Sequence, residues 1–512
     1  MRDRLPALLV VLALVAAFAA RLLWSPGLLG APGAEVYGHA WVQWWHGVAL
    51  PAWPAGTDLA SGTDAWPVID PLPTALAALV GRLLGPVSGY NTWILLSVPL
   101  AFFGGARLAR QAGGDPWVGG LTLALWPPLV GSLASGLTED AAIGLAALAF
   151  STLGLPGWRA GLWTGLALGA LAWCGLVNAW FAALAAVGLG LVAGLRDRRA
   201  WPGLLLGAVV AAALVAPLAL MQGDRLLGVG HRSGAFTPRP EPLWRLNPWR
   251  GIDLLSLLAP GRQDPGDALI RFHPGYLGLS TLGLAVWGGW SRWWPVLLLS
   301  AGVALGPGLS AGGQPLGISN PFAAAAALLP GGGLLNHHGR ALLLGGVAMA
   351  ALASRGAARL SARGRRIAAV VVALDLALLS PLPLPLPTAP AAPPAAAAQL
   401  GALRPGPVLV VPAAGPGVHF QRPLFDQRAH GRRLLLSPNR PGLSPGLMRT
   451  DTGRWLAGLA FPEAAPPPES PVFPPAVAVV LAMPGYAEAV TAGLGPPDVT
   501  GADGSAAWEI GR

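Results

Sequence analysis

Between Arg199 and Asp224 the chain reads AWPGLLLGAVVAAALVAPLALMQG, without one charged side chain. A helix needs about 20 such residues, at about 1.5 Å each, to cross the hydrocarbon core of a bilayer. Lipid offers no water to backbone amides, so a chain that enters it must close its own hydrogen bonds as helices or as a barrel. Comparable apolar runs recur along the sequence and set the class before any motif is considered. Composition agrees. Of 512 residues 54% are hydrophobic and 11% charged, where a soluble domain carries about 25% charged residues. The mean hydropathy is +0.56. Glycine and proline are abundant but scattered inside the apolar runs, where neighbouring helices re-satisfy the backbone, so they do not signal disorder.

Taking runs of roughly 17–25 apolar residues as spans places helices near 5–23, 90–106, 116–134, 139–155, 160–175, 177–195, 201–221, 275–290, 293–311, 340–354 and 367–386. The sequence therefore predicts an all-α polytopic membrane bundle of about eleven transmembrane helices, followed by a small extracytoplasmic α/β domain. The N-terminal apolar run, Leu5 to Ala20, is followed by Arg21, Leu22, Leu23 and Trp24 with no convincing small-residue cleavage site, and reads as a retained first helix. With a cytoplasmic N-terminus, every inner loop holds arginine: Arg2 and Arg4, Arg107 and Arg110, Arg159, Arg196 to Arg199, Arg292, and Arg355 to Arg366. This is the positive-inside pattern. It places the protein in a bacterial inner (cytoplasmic) membrane with its C-terminal domain outside. One outer loop, 222–274, is also rich in arginine, including Arg239, Arg245 and Arg250. Loops of that length cross regardless of charge.

The expected organisation is a membrane domain over 1–386 with outer loops 24–89 and 222–274, a Pro/Ala linker over 387–405, and a soluble domain over 406–512. Pro71 to Gly85 and Asn320 to Pro330 are too short to span and read as interfacial or re-entrant helices. From Pro381 the linker reads as a semi-rigid, extended tether. Beyond it, Pro407 to Pro412, Ala476 to Leu481 and Ala506 to Ile510 read as strands, and Tyr486 to Leu494 as a short helix.

The formal charge of +10 is carried by arginine alone, because the chain has no lysine. That pattern follows codon usage rich in Ala, Arg, Gly and Pro, and no nucleic-acid partner is expected. Cys174 is the one cysteine, so neither a disulfide nor a cysteine metal framework is available. No Gly-rich phosphate loop follows a strand, and no Gly-x-Ser-x-Gly elbow is present.

The polar groups with chemical potential gather on the outer face in this topology. They are Glu35, His39 and His46, the pair Glu139-Asp140, the arginine-rich loop, and Asn336-His-His-Gly-Arg340 with His337 and His338. A carboxylate at the hydrocarbon boundary loses water, which raises its pKa and strengthens it as a base. Arginines there can grip phosphate through two parallel hydrogen bonds. Plainer uses stand beside these. Glu35 would serve equally as a helix cap, and Glu139-Asp140 as the N-cap of the fourth span. Trp41, Trp44 and Trp45 read as an interfacial aromatic belt, with sugar stacking as the other use. His337 and His338 are adjacent and point apart on a helix, so one metal is not easily shared between them. Asp375, alone in the last span, reads as a buried hydrogen-bonded or protonated acid. His419 and the segment Gln421 to Gly431, with Asp426 and His430, lack metal-ligand spacing and read as a loop over the membrane site.

An outward first loop with an early acid, an aromatic-rich helix in that loop, and many spans together resemble the GT-C glycosyltransferase superfamily. The motifs Asp70-Pro-Leu, Gly85-Pro-Val-Ser-Gly-Tyr-Asn91, Tyr276-Leu-Gly-Leu and Asn336-His-His-Gly-Arg340 are similar to those of bacterial membrane proteins of this kind. The resemblance covers about residues 1–386. It implies sugar transfer from a polyprenyl-phosphate donor to an envelope acceptor, with inversion, at the outer face of the membrane. By the same resemblance Glu35 is the base, and Glu139 and Asp140 orient the acceptor or hold a divalent cation. Arg340, with one or two of Arg239, Arg245 and Arg250, would stabilise the leaving phosphate, and His39, His337 and His338 would contact substrate. The loop acid of that group is usually aspartate and often paired, whereas Glu35 follows Ala34. A non-catalytic assembly protein of the same fold therefore stays open, as does a transporter or flippase of lipid-linked glycans. The implied partners are the lipid-linked donor and membrane lipids; nothing in the sequence sets an oligomeric state.

Overall fold

Proline marks where many of the helices begin. Its missing N–H is one of the donors a helix start leaves unpaired anyway, and it opens α3 (Pro71–Leu84), α4 (Pro86–Gln111), α5 (Pro116–Ala124) and α6 (Pro127–Ala134). The computed structural model describes residues 4–48, 70–232, 251–260, 274–329, 337–380, 384–412, 421–435, 451, 455 and 477–510. The remaining helices are α1 (Arg4–Ala19), α2 (Val36–Val48), α7 (Gly144–Thr152), α8 (Trp158–Cys174), α9 (Leu176–Arg196), α10 (Trp201–Arg232), α11 (Leu279–Trp287), α12 (Trp293–Ala304), α13 (Pro321–Leu328), α14 (Ala341–Ala358), α15 (Ala362–Leu378), α16 (Arg422–His430) and α17 (Ala487–Leu494). Among the described residues six helical stretches are long and apolar enough to cross a membrane. The other expected spans correspond to the shorter helices α7, α8, α11, α12 and α15. The chain is a multi-pass membrane protein with a small C-terminal sheet.

Helix α14 is the axis of the bundle, and nearly every residue from Ala341 to Ala357 is buried. Its neighbours close on it through small residues, which let backbones meet where lipid gives no hydrophobic drive for helix association. A Cβ on Gly356 would strike the carbonyl of Leu284 in α11, and one on Gly161 in α8 would strike that of Gly203 in α10. The loops at one end of the bundle are tied to each other: Arg355 reaches the Ala112 carbonyl, Arg359 that of Trp287, and Arg107 the Ser151 hydroxyl. The arginine-bearing loops therefore share one end. In the last span, Asp375 accepts from the Tyr276 hydroxyl at 2.6 Å and from the Ser280 amide at 2.7 Å, which accounts for the tyrosine of the Tyr276-Leu-Gly-Leu motif.

Four expectations are corrected by local geometry. The fourth span starts at Gly144 rather than at 139, because residues 137–143 form turns instead of helix. Glu139 and Asp140 thus do not cap a helix. The ninth span ends at Ala304, and β2 (Gly308–Ala311) and β3 (Gln314–Ser319) then form an antiparallel hairpin. The Pro/Ala stretch is not a free tether. Its β4 (Thr388–Ala389) pairs with β1 (Leu28–Leu29), and the Pro390 and Ala392 carbonyls accept from Arg422. The C-terminal sheet has the order β5 (Val408–Val411), β6 (Val479–Ala482), β8 (Ala506–Glu509), β7 (Val499–Thr500), with β5 and β6 parallel and the rest antiparallel. Residues 421–431, expected as a loop, contain helix α16, which packs on α2: Trp41 donates Nε1 to Gln427 at 2.8 Å, and Tyr37 lies 5.9 Å from Phe425.

Candidate functional site

Three separate stretches of chain meet at the end of the bundle opposite the arginine-bearing loops. The first is the start of α2, where the Glu35 carbonyl accepts from the Gly38 and His39 amides. The second is Asp70, just before α3. The third is the turn 137–143, held by Trp93 donating to the Thr138 carbonyl at 2.9 Å. Gly175, between α8 and α9, lets the chain pass this turn; a Cβ there would lie 2.8 Å from the Glu139 carbonyl oxygen. Arg340 enters from the first turn of the axial helix, in the short 3-10 segment His338–Arg340.

His39 is the hub. Its Nε2 faces Glu139 Oε2 at 3.5 Å and Glu35 Oε2 at 3.8 Å. Its Nδ1 lies 2.7 Å from the Thr138 hydroxyl, which itself contacts Asp70 Oδ2. If Thr138 donates to the carboxylate it must accept from His39, so Nδ1 carries a proton. Two carboxylates facing Nε2 require a proton there as well. Burial would push the imidazole pKa down, yet Glu139, Asp70 and Glu35 raise it well above the usual histidine range. These carboxylates favour the imidazolium form of His39.

The acids divide into three kinds. Asp140 is fully buried and committed: Asn178 donates to Oδ1 at 2.7 Å and Ser132 to Oδ2 at 2.9 Å, with Arg340 Nε 3.8 Å away. It positions Arg340 and is not turned toward an acceptor. Glu139 is half committed. Oε1 accepts from Arg340 at 2.7 Å, while Oε2 has no hydrogen bond. Burial raises its pKa against the pull of Arg340 and His39. Glu35 sits at the rim with about a third of its side chain exposed (32%). Here the expectation of a strengthened base is reversed. Loss of water would raise Glu35, but His39, with His337 and Arg340 beyond it, holds the carboxyl down at about 2. A neighbouring cation outweighs partial desolvation.

The structure thus brings together Glu35, His39, Glu139, Asp140 and Arg340, and it places His337 near Glu35. His338 is buried beside Arg340. Arg239, Arg245, Arg250 and His419 lie outside the described residues. Trp41 is not a belt residue, being fully buried under α16, whereas Trp44 and Trp45 are half-buried. His46 is buried and its pKa pushed down to about 4 by burial. Asp70 and Thr138 were not singled out as site residues by the sequence. An acid before Pro71 looks like a helix cap, but Asp70 makes no capping bond and accepts from Thr74 and Thr138 instead.

A divalent cation can be tested against these groups. His39, Asp70 and Glu139 offer ligand atoms that all lie within 4.8 Å of one another, and Glu139 Oε2 and His39 Nε2 have no hydrogen-bond partner. An N,O,O donor set of this kind suits a borderline first-row ion better than Mg²⁺. The imidazolium would first have to lose a proton.

No family model matches the chain, and no curated protein matches it. Among solved structures, the arabinofuranosyltransferase AftD from Mycobacteria is similar at 16% identity and a TM-score of 0.49, over 94% of this chain and 36% of that one. This chain therefore spans about a third of AftD. ArnT from Cupriavidus metallidurans in the apo state is similar at 17% identity and a TM-score of 0.40, over 99% of this chain and 98% of that one. ArnT bound to undecaprenyl phosphate is similar at 15% identity and a TM-score of 0.40, over 98% and 96%.

Proposed function

We propose that this protein is a membrane glycosyltransferase that moves a sugar from a polyprenyl-phosphate donor to an envelope acceptor, at the outer face of a bacterial inner membrane. The observation that carries the reading is the pair of buried, facing polar atoms, His39 Nε2 and Glu139 Oε2, which meet at 3.5 Å as an ion pair but make no hydrogen bond, beside a carboxylate about a third exposed. Buried polar groups without hydrogen bonds are costly, and a bound substrate or ion would supply the missing bonds. Placement at the membrane boundary suits a donor whose phosphate is tied to lipid. The arginine-bearing loops at the opposite end support the orientation.

In this reading the acceptor oxygen forms a bond to the anomeric carbon as the bond from that carbon to the carrier phosphate breaks, with inversion. Such a centre develops oxocarbenium character, as in glycoside hydrolysis. The attacking hydroxyl becomes acidic only as its new bond forms, so its proton passes late, to Glu35. A carboxylate held near 2 is a weak base, but it is ionised at every working pH and suffices for a late transfer. Arg340, fixed by Glu139 and Asp140, faces the charge that grows on the leaving phosphate.

Charge balance argues for a cation as well. Glu35, Asp70, Glu139 and Asp140 face Arg340 and His39 among the described residues, and this excess of negative charge repels a phosphate. His39, Asp70 and Glu139 would hold the ion, which would reduce that excess and polarise the phosphate oxygens.

Glu35→Gln keeps size and hydrogen bonding but removes the proton acceptor. Transfer should fall by about 10²–10⁴-fold, read as loss of the glycan product by mass spectrometry of envelope lipids and polysaccharides, with thermal stability unchanged. Full product in that variant would eliminate Glu35 as the base. An unaltered glycan profile in cells lacking the protein altogether would favour the assembly reading.

A further inference from the structure

A cavity of about 1040 Å³ lies between α9 and α12 and reaches α13, at the upper end of the roughly 300–1,000 Å³ common for ligand sites. It is distinct from the carboxylate cluster. Its walls are apolar and open sideways, with Leu184, Val192 and Leu299 exposed. One end is lined by Arg196, Arg292 and Arg355. Helix α9 touches Glu139 and Asp140 through Asn178, and from there to Arg196 it climbs about 27 Å at 1.5 Å per residue. That is close to the thickness of a bilayer core, about 30 Å. The three arginines therefore sit at the opposite membrane face from the carboxylates.

Their surroundings leave them in want of an anion. Among the described residues, the charges acting on Arg292 are those of Arg196 and Arg355, both repulsive. Arg355 gives one nitrogen to the Ala112 carbonyl at 3.3 Å, while its Nε is buried without a hydrogen bond. Arg292 lies over the Trp293 ring at 5.4 Å, and exposed Trp290 stacks with Trp294 at 6.3 Å, as aromatics do at the headgroup level. Guanidinium groups match phosphate in a planar, two-bond fashion.

We propose that this groove binds an anionic glycerophospholipid of the leaflet at the arginine end, its phosphate held by Arg196, Arg292 and Arg355 and an acyl chain laid along Val192 and Leu299. A free phosphate would satisfy the arginines but would leave the apolar, lipid-facing walls unexplained.

The test uses the full-length protein taken from native membrane into nanodiscs of phosphatidylcholine, with retained lipids counted by native mass spectrometry. Wild type should retain phosphatidylglycerol, and Arg196→Gln/Arg292→Gln/Arg355→Gln should retain at least tenfold less. Leu299→Trp, which fills the groove and leaves all three guanidinium groups in place, should lose the lipid too. Ten millimolar inorganic phosphate should not displace it. Each variant is first shown to melt at the wild-type temperature; where the triple variant does not, Arg292→Lys replaces it and should weaken retention without emptying the site. Equal retention in these variants overturns the proposal, as does displacement by inorganic phosphate alone or retention of a polyprenyl phosphate in place of the glycerophospholipid.

Discussion

Both ends of the bundle hold buried or half-buried arginine, and they use it in opposite ways. At the outer site Arg340 is locked to Glu139 at 2.7 Å and stands 3.8 Å from Asp140, so its charge is answered before any ligand arrives. At the other end, among the described residues, Arg292 feels like charge from Arg196 and Arg355. A paired guanidinium is rigid and selective, and contributes mainly through where it is held. An unpaired cluster is strained by its own repulsion and gains from whatever anion docks. The same residue type is therefore held by carboxylates at one end and, in the proposal above, left for an anion at the other.

The sharpest way to break this contrast is to remove the counter-charge proposed for the outer site. Chelation of divalent ions should lower sugar transfer by about 10²-fold or more, with recovery on adding Mn²⁺ or Zn²⁺. Asp70→Asn should make recovery need far more ion. Transfer insensitive to chelators would show that Arg340 and His39 alone balance the four carboxylates.

Next in size is a comparison of the two ends by stability. Arg340→Met leaves Glu139 and Asp140 buried without their cation and should cost about 3–5 kcal/mol. Arg292→Gln relieves repulsion and should leave the melting temperature unchanged or slightly higher. Equal losses in the two variants, measured by tryptophan fluorescence in detergent, would erase the distinction between paired and unpaired arginine.

The legible part of this molecule was its periodicity. Apolar runs located the helices because burial in lipid depends on length and polarity alone, and shorter apolar runs located β5, β6 and β8, beside a short helix at α17, in the C-terminal domain. Boundaries failed where a side chain overrode the pattern. Residues 139–143 look helical, but they form turns in which Asp140 accepts from Ser132 and Asn178. Convergence of Glu35, Glu139 and Arg340 followed from topology, since alternate loops share a face. The role of Asp70 did not, because a cap and a site acid have the same sequence, and only the contact with Thr138 separates them. The sign of the Glu35 shift was hidden for a related reason: it depends on His39 sitting one helical turn on, with its proton fixed by Thr138 and Glu139.

A smaller effect extends the contrast to the C-terminal domain. Burial, with the nearby charge of Arg432, pushes His430 down to about 4 from the ordinary 6.5. Its Nδ1 accepts from the Arg432 amide at 3.1 Å, which requires the neutral ring. The unfolded chain then binds more protons between those two values, so stability present above pH 6.5 is lost as pH falls toward 4. The loss should be at most about 3 kcal/mol, followed as protease sensitivity of the C-terminal domain. His430→Asn should flatten the profile, and an equally steep profile in that variant would place the titrating group elsewhere.

The smallest expected effect concerns how that domain is held over the outer site. Trp41 Nε1 donates to Gln427, whose own amide donates to the Arg432 carbonyl at 2.9 Å. This hydrogen bond, with the one from Arg422 to the Tyr37 hydroxyl at 2.9 Å, joins the helix carrying His39 to the helix α16 above it. Trp41→Phe keeps most of the buried ring and removes the donor, so Gln427 is left with an unanswered oxygen and docking should weaken by about 1 kcal/mol. Gln427→Leu, which removes the orphaned group as well, should recover part of that loss in the Trp41→Phe background. Deuterium exchange across 422–430 reads the docking directly. If both single variants exchange as wild type does, α16 is held on α2 by Arg422, which donates to the Tyr37 hydroxyl at 2.9 Å, and the Trp41 bond contributes nothing measurable to the docking.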